Sequence, residues 1–266
     1  MNVSTAAVKH TAKTALKKDY YKAIIVSALY IFAIYVCLLC NSIIASIAGV
    51  AAAFIFLICA IVMLIIPLTL GFVYFAVRLI FGSDTQPVLL FKYFSGKNEY
   101  IRALRFALPL TGNAVYSGFL LFLPAFVCDA IANGTVFKIF GADIPLWASS
   151  IWSVSAILKV FAGFCFIIVM LKFYLAPFLL TADENMDPLE ALHMSKVISS
   201  VSKRDFIWLI LSLAGYILAC AFVVPNIFIY PYFIACYCVH CRFAVAAFNK
   251  NIDKINQKDI PSFEVI

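Results

Sequence analysis

The chain has 266 residues, of which 65% are hydrophobic and 12% charged, and it carries a formal net charge of +7. A soluble globular domain has roughly 25% charged residues, so this composition excludes that class and marks an integral membrane protein. A bilayer core of about 30 Å asks for roughly 20 apolar helical residues per crossing. None of the apolar blocks alternates with the period of two that a transmembrane barrel needs, so the predicted class is all-α.

In chain order, Lys9, Lys13, Lys17, Lys18 and Lys22 precede the first apolar block. That block is full length and no small-residue cleavage site follows a short apolar core, so it reads as a retained span and not a cleavable signal. Six transmembrane helices are predicted, at about 22–42, 50–78, 106–128, 148–175, 206–224 and 226–248. They form a single domain over residues 1–248, in three hairpins with short cytoplasmic amphipathic helices, followed by a polar cytoplasmic tail at 249–266. Asn41–Gly49 supplies the first turn, Pro67 is expected to kink the second span, and Pro225 makes the outer turn between the last two.

Three stretches mix basic with apolar residues and then meet an aromatic doorway. They are Ala12–Ala28 with Tyr20 and Tyr21, Lys92–Leu108 with Tyr100 and Phe106, and Met194–Leu211 with Phe206 and Trp208. Basic amphipathic helices lie along the interface and aromatic rings favour the headgroup level. An internal repeat and a generic set of basic, aromatic-flanked loops both account for this pattern.

Orientation follows from charge. Every Lys and Arg except Lys138 and Lys159 falls in one of four segments: the N-terminus through Lys22, Arg78 to Arg105, Lys172 to Arg204, and the tail from Arg242. Cytoplasmic loops carry the excess of Lys and Arg, which places both termini inside.

The clearest cytoplasmic helix begins at Asp187-Pro188-Leu189-Glu190, with Asp as cap, Pro at the first position and Glu able to reach back. Leu189, Leu192, Val197 and Val201 recur at helical spacing. Asp183, Glu184 and Asp187 would be repelled by anionic headgroups, so this helix is expected to dock on neighbouring helices and not on lipid.

Lys159 is the one charge well inside a predicted span, and intramembrane ionisable groups are functional candidates. Lys172 lies about 20 Å further along the helix at 1.5 Å per residue, so the two ammonium groups are able to snorkel to opposite headgroup layers. A hydrated cavity and a ligand or anion site are the alternatives, and no acidic residue lies inside any predicted span to serve as partner. Asn41, Thr69, Asn113, Ser117, Ser155, Lys159 and Asn226 are the polar residues available to line a path.

Cys236, Cys238, His240 and Cys241 invite a metal-site reading, which helical geometry weakens. At 100° per residue Cys236 and His240 share a face while Cys238 lies about 200° from Cys236, so no metal is assigned. The acids Asp183, Glu184, Asp187 and Glu190 cluster where a helix N-terminus attracts carboxylates. No disulfide is assigned, with a pairing of Cys128 with Cys37, Cys40 or Cys220 left open. There is no Gly-rich phosphate loop, no His-Glu-x-x-His and no Gly-x-Ser-x-Gly, so no catalytic residue and no cofactor is expected. The positive charge belongs to the inside loops, and no nucleic-acid partner is expected.

Asp183, Pro188-Leu189-Glu190-Ala191-Leu192, Ser195, Leu211-Ser212-Leu213-Ala214-Gly215-Tyr216 and Pro231-Tyr232 stand in an order and spacing that resembles a family of bacterial integral membrane proteins. The family is designated domain of unknown function 975 and is itself similar to the membrane domain attached to some glycerophosphodiester phosphodiesterases. Leu16, Gly71, Arg78, Phe91 and Phe94 extend the resemblance more loosely toward the N-terminus. The chain departs from the pattern at Val201 in place of Gly, at Tyr216 in place of Trp, and at His240-Cys241 in place of Phe-Tyr. The resemblance implies six helices in a bacterial cytoplasmic membrane, and it brings no reaction with it. The expected role is a non-enzymatic accessory or scaffolding protein of the cell envelope, whose partners are the lipid bilayer and a membrane protein or second copy. The alternative is a small transporter or transporter subunit with a polar path near Lys159.

Overall fold

A computed structural model of the chain describes residues 4–82, 85–133, 151–219 and 223–255. It is all-α, with no strand among the described residues. Five helices are long and apolar enough to cross a membrane: Thr5–Ala48, Val50–Phe81, Lys97–Ala132, Ile151–Ala182 and Pro225–Lys250. The chain forms two compact units, one of Met1–Pro109 with Phe173–Ile266 and the other of Leu110–Lys172.

The larger unit opens with α1, Thr5–Ala48, capped by Ser4, whose side chain accepts from the Ala7 amide. Val8, Ala12 and Leu16 recur every fourth residue and are buried, so the basic amphipathic stretch lays its apolar stripe on protein and not on lipid. The helix bends at Asp19 (φ −126°, ψ 29°), where the carboxylate pairs with Lys22 at 2.9 Å. Beyond the bend α1 continues to Ala48, so the predicted Asn41–Gly49 turn contracts to Gly49 alone. Its φ of 86° lies in the region that favours glycine. Tyr30 and Thr69, nearly equidistant in sequence from Gly49, meet through their hydroxyls at 2.9 Å.

The second long helix has three parts: α2 (Val50–Ala60), a π-helical turn (Ile61–Ile65) and α3 (Ile66–Phe81). Pro67 stands in the first turn of α3 and has no amide hydrogen for the carbonyl four residues back. That carbonyl belongs to Met63, and the Tyr100 hydroxyl donates to it at 3.1 Å. The expected break at Pro67 is thus a π-turn with its released acceptor satisfied from another helix.

After α3 a 3₁₀ segment, Pro87–Phe94, packs back on the same helix, with Leu90 and Tyr93 buried. The approach is close because Gly71 has no side chain: a Cβ there would fall well inside contact distance of the Leu90 carbonyl oxygen and 2.8 Å from its carbon. The chain then enters α4, Lys97–Ala132, and the next described helix is α5, Ile151–Met170. A short 3₁₀ turn, Leu171–Phe173, leads to α6, Ala176–Ala182.

The Asp187 cap is present as expected. Its side chain accepts from the Leu189 amide at 3.0 Å and Pro188 opens α7, Pro188–Ser212. The helix docks on its neighbours, but by a face other than the predicted one. Leu189, Val197 and Val201 are exposed, while Ala191, Met194, Ser195, Ile198, Ser202, Phe206 and Leu209 join Leu192 in the core. Small serines allow this face to approach closely, which a count of large apolar residues does not register.

Predicted span 206–224 is interrupted: α7 ends at Ser212, Leu213 leaves helical geometry, and α8 covers only Ala214–Ala219. Residues 220–222 lie outside the described residues. The last helix, α9, is Val223–Ile255, with Pro225 in its first turn. The Tyr20 hydroxyl donates to the Phe228 carbonyl at 2.7 Å, and the Tyr230 ring stacks on Tyr30 at 5.5 Å, so the start of α9 sits beside the stretch of α1 that follows its bend.

In the smaller unit α4 and α5 pair through Ser155, whose hydroxyl donates to the Ala125 carbonyl at 3.3 Å. Their other faces carry exposed Phe119, Leu120, Ile157, Val160, Phe161 and Phe164, a surface suited to acyl chains and too apolar for water.

The Gly71 contact yields a direct test. Gly71→Ala is expected to force α3 away from the 3₁₀ segment and to lower stability by about 1–3 kcal/mol, the usual cost of overpacking, read as thermal unfolding in detergent. Gly112→Ala, inside α4 where a Cβ meets nothing within 4 Å, should not lower the transition and should raise it slightly, because Ala favours a helix interior over Gly by about 0.5–1 kcal/mol.

Candidate functional site

Lys159 has a partner that the sequence reading did not assign. Its Nζ lies 2.7 Å from Asp129 Oδ2, and the Ser155 hydroxyl binds the other carboxylate oxygen. Asp129 is one residue past the predicted end of its span, and α4 runs on to Ala132, which brings the carboxylate onto the helix. Side chains on a helix lean toward its N-terminus, so the Lys159 ammonium leans toward the Ile151 end of α5. The direction is that of snorkelling, but a carboxylate one turn from a helix end receives the charge.

Among the described residues, several of the path candidates are taken up by neighbours within their own unit. Ser155 and Lys159 meet on Asp129, and Ser117 donates to the carbonyl of Asn113, one turn earlier, at 2.5 Å. Thr69 is taken up by Tyr30 and by the Ile65 carbonyl. The cavities at Ser4–Arg204–Trp208, at Lys13–Phe228–Tyr232 and at Gln86–Phe91–Phe94 are lined by none of the path candidates.

The acidic cluster is divided among separate tasks. Asp183 accepts from the Asn185 amide at 2.9 Å and Asp187 caps α7. Glu184 turns to the bases of other segments: Lys92 bonds it directly, Arg78 lies at 3.5 Å, and the Tyr74 hydroxyl donates at 2.9 Å. Lys92 also sits 3.8 Å above the Tyr74 ring, a cation–π contact. Beside this knot Arg102 spreads over three carbonyls, Leu180 at 3.2 Å, Asp183 at 2.8 Å and Met186 at 2.9 Å. A guanidinium at the end of α6 answers the carbonyls that a helix C-terminus leaves open. No group of three metal-ligating side chains converges among the described residues.

Around His240 the structure builds a buried polar network that sequence reasoning missed. Tyr174 Oη lies 2.8 Å from Ser202 Oγ and 3.3 Å from His240 Nε2. Ser202 Oγ also lies 2.9 Å from the Ile198 carbonyl, to which it donates, so the Tyr174 hydroxyl stands between Ser202 and the imidazole. Phe206 stacks on Tyr174 at 4.1 Å and Tyr237 donates to the Tyr174 carbonyl at 2.6 Å, which closes the network off as a packing element. Cys236, Cys238 and Cys241 are buried free thiols, as Cys37 is, and Cys128 is free as well. Cys220 lies outside the described residues.

No family model matches the chain, and no curated protein or solved structure matches it.

The Glu184 knot predicts an acid limb in stability. Lys92, Tyr74 and Arg78 hold the Glu184 carboxyl below the usual range, with the Lys92 bond the largest cause. A carboxylate whose folded-state pKa is depressed contributes stability that is present above its unfolded value and lost as pH falls through the folded one. Thermal unfolding in detergent should therefore weaken as pH drops below about 4.5. Glu184→Gln should be less stable near pH 7 and show a shallower decline on the acid side.

Proposed function

We propose that the chain is a non-enzymatic accessory or scaffolding protein of the bacterial cell envelope, held in the cytoplasmic membrane with both termini inside. The observation that supports this most is the mutual occupation of its strongest polar groups. Lys159 meets Asp129, Glu184 meets Lys92 and Arg78, Arg102 meets backbone carbonyls, and Ser202 gives its proton to the backbone. A catalytic centre keeps a nucleophile, a base or an oxyanion donor free for substrate; here those groups hold the fold. The resemblance to the domain of unknown function 975 agrees with this reading and brings no reaction. Its partners are the lipid bilayer and a membrane protein or a second copy, with no nucleic acid.

In place of six full crossings, the register of α9 favours four, made by α1, α2–α3, α4 and α5. The segment from α7 to α9 then enters the bilayer from the inside and returns, as hydrophobic re-entrant segments do when protein buries their backbone. An even number of crossings keeps both termini inside and agrees with the four basic segments. Single cysteines in a Cys-free background test this with an impermeant thiol reagent on intact cells. Labelling is expected at position 143 and protection at 97. Protection is also expected at 226, and labelling there would restore the six-span arrangement.

The competing reading is a small transporter or transporter subunit with a polar path near Lys159, which needs that ammonium free for a substrate. Asp129 opposes it. Lys159→Leu alone should lower stability by about 1 kcal/mol, the scale of a partly exposed pair, and adding Asp129→Leu should recover it. The double variant should also complement a strain lacking the protein; a stable double variant that fails to complement would move the assignment to transport.

A further inference from the structure

We infer that the groove between the N-terminal half of α1 and the α8–α9 segment holds one anionic phospholipid, with its phosphate on Lys13 and Lys17 and an acyl chain along Phe228 and Ile229. The groove has a volume of about 570 Å³, within the range of small-molecule sites, and is open along one side. Its lining joins two chemistries. Lys13 and Lys17 stand one helical turn apart, so both ammonium groups present to the same side. Leu16, between them on α1, combines with Phe228 and Ile229 of α9 as the apolar part, flanked by Tyr20, Tyr216 and Tyr232.

Two observations point to a lipid. First, Lys13 and Lys17 form no ion pair among the described residues; other cations such as Lys18 share this, and what sets these two apart is that both line the groove. Two neighbouring unmatched cations beside an apolar trough are complementary to a molecule with a negative head and a hydrocarbon tail. Second, the groove lies where such molecules are. Tyr20 forms the aromatic doorway of α1, at the headgroup level, and its bond to the Phe228 carbonyl fixes the far wall at that same depth. The inner leaflet supplies anionic lipid there, and each basic residue near the surface is worth about 1 kcal/mol toward it. Zwitterionic lipid and free phosphate lack one half of the match each: the first has no net charge for the lysines, the second no chain for the trough. The inference rests on the membrane placement but not on the scaffolding role, so the complementation result above does not bear on it.

Native mass spectrometry of the full chain in detergent, titrated with dioleoyl phosphatidylglycerol or dioleoyl phosphatidylcholine, tests the assignment. One phosphatidylglycerol should remain bound in preference to phosphatidylcholine, and inorganic phosphate should not displace it. Lys13→Gln with Lys17→Gln should weaken binding roughly 25-fold, about fivefold for each lysine. Lys18→Gln removes the same charge from an exposed neighbour that does not line the groove, and should change binding less than twofold. Ile229→Trp, which keeps both lysines and fills the trough, should abolish retention. All three lysines are exposed, so their variants should fold, with thermal unfolding as the check. Equal retention of the two lipids, an equal effect of Lys18→Gln, displacement by phosphate, or undiminished binding in a folded Ile229→Trp variant would each overturn it.

Discussion

Backbone carbonyls released where helices break constrain this fold more than any other feature. In lipid no water is available to take them up, and each unsatisfied group costs several kcal/mol. The chain breaks its helices repeatedly, and at several breaks a side chain from a distant segment reaches a carbonyl there. Pro67 releases Met63, and Tyr100 takes it. The end of α6 receives Arg102, and the end of α7 receives Lys9, which donates to the Ser212 carbonyl at 2.8 Å. Three residues before Pro231, the Phe228 carbonyl receives Tyr20, and three before Pro177 the Tyr174 carbonyl receives Tyr237. These bonds tie segments far apart in sequence, so the irregularities of the helices become the points of attachment between them.

The same constraint explains why tyrosine and long cations recur at these joints. A tyrosine carries its donor at the end of a rigid apolar ring, so it crosses hydrocarbon without burying further polar atoms. Lysine and arginine bring their charge on an apolar stem and stay near the interface. Tyr30 combines the two demands, since its ring stacks with Phe72 and Tyr230 while its hydroxyl meets Thr69. Close backbone approach is the remaining device, and at Gly71 the absence of a side chain admits the Leu90 carbonyl to van der Waals contact with α3.

Features set by local chemistry were legible in the sequence. The all-α class, the Asp187 cap and the break at Pro67 follow from composition, capping and the missing proline amide. Features set by facing and by local breaks were not. The hydrophobicity of 206–224 marks a segment that avoids water, and it carries no sign of the helix break at Leu213. Leu189, Val197 and Val201 have helical spacing, yet Ser195 and Ser202 face the core, because small residues pack more closely than large ones. Asp129 was overlooked through a boundary: hydropathy ended the span at residue 128, while the backbone hydrogen bonds of α4 continue for another turn and carry the acid with them.

Charge matching separates the two lysine settings that a sequence presents alike. Lys159 looks exceptional in sequence because its surroundings are apolar, but the structure supplies Asp129 and Ser155, and the site is electrically closed. Lys13 and Lys17 look ordinary because basic residues are common before a first span. Their setting is the less complete one, since the stripe between them, through Leu16, is buried in protein while the ammonium groups border a hydrocarbon-lined groove. Burial of an ionisable group selects for a partner built into the fold; exposure at a headgroup surface leaves the partner to come from the membrane. The chain uses the first arrangement to hold its helices and leaves the second facing the lipid.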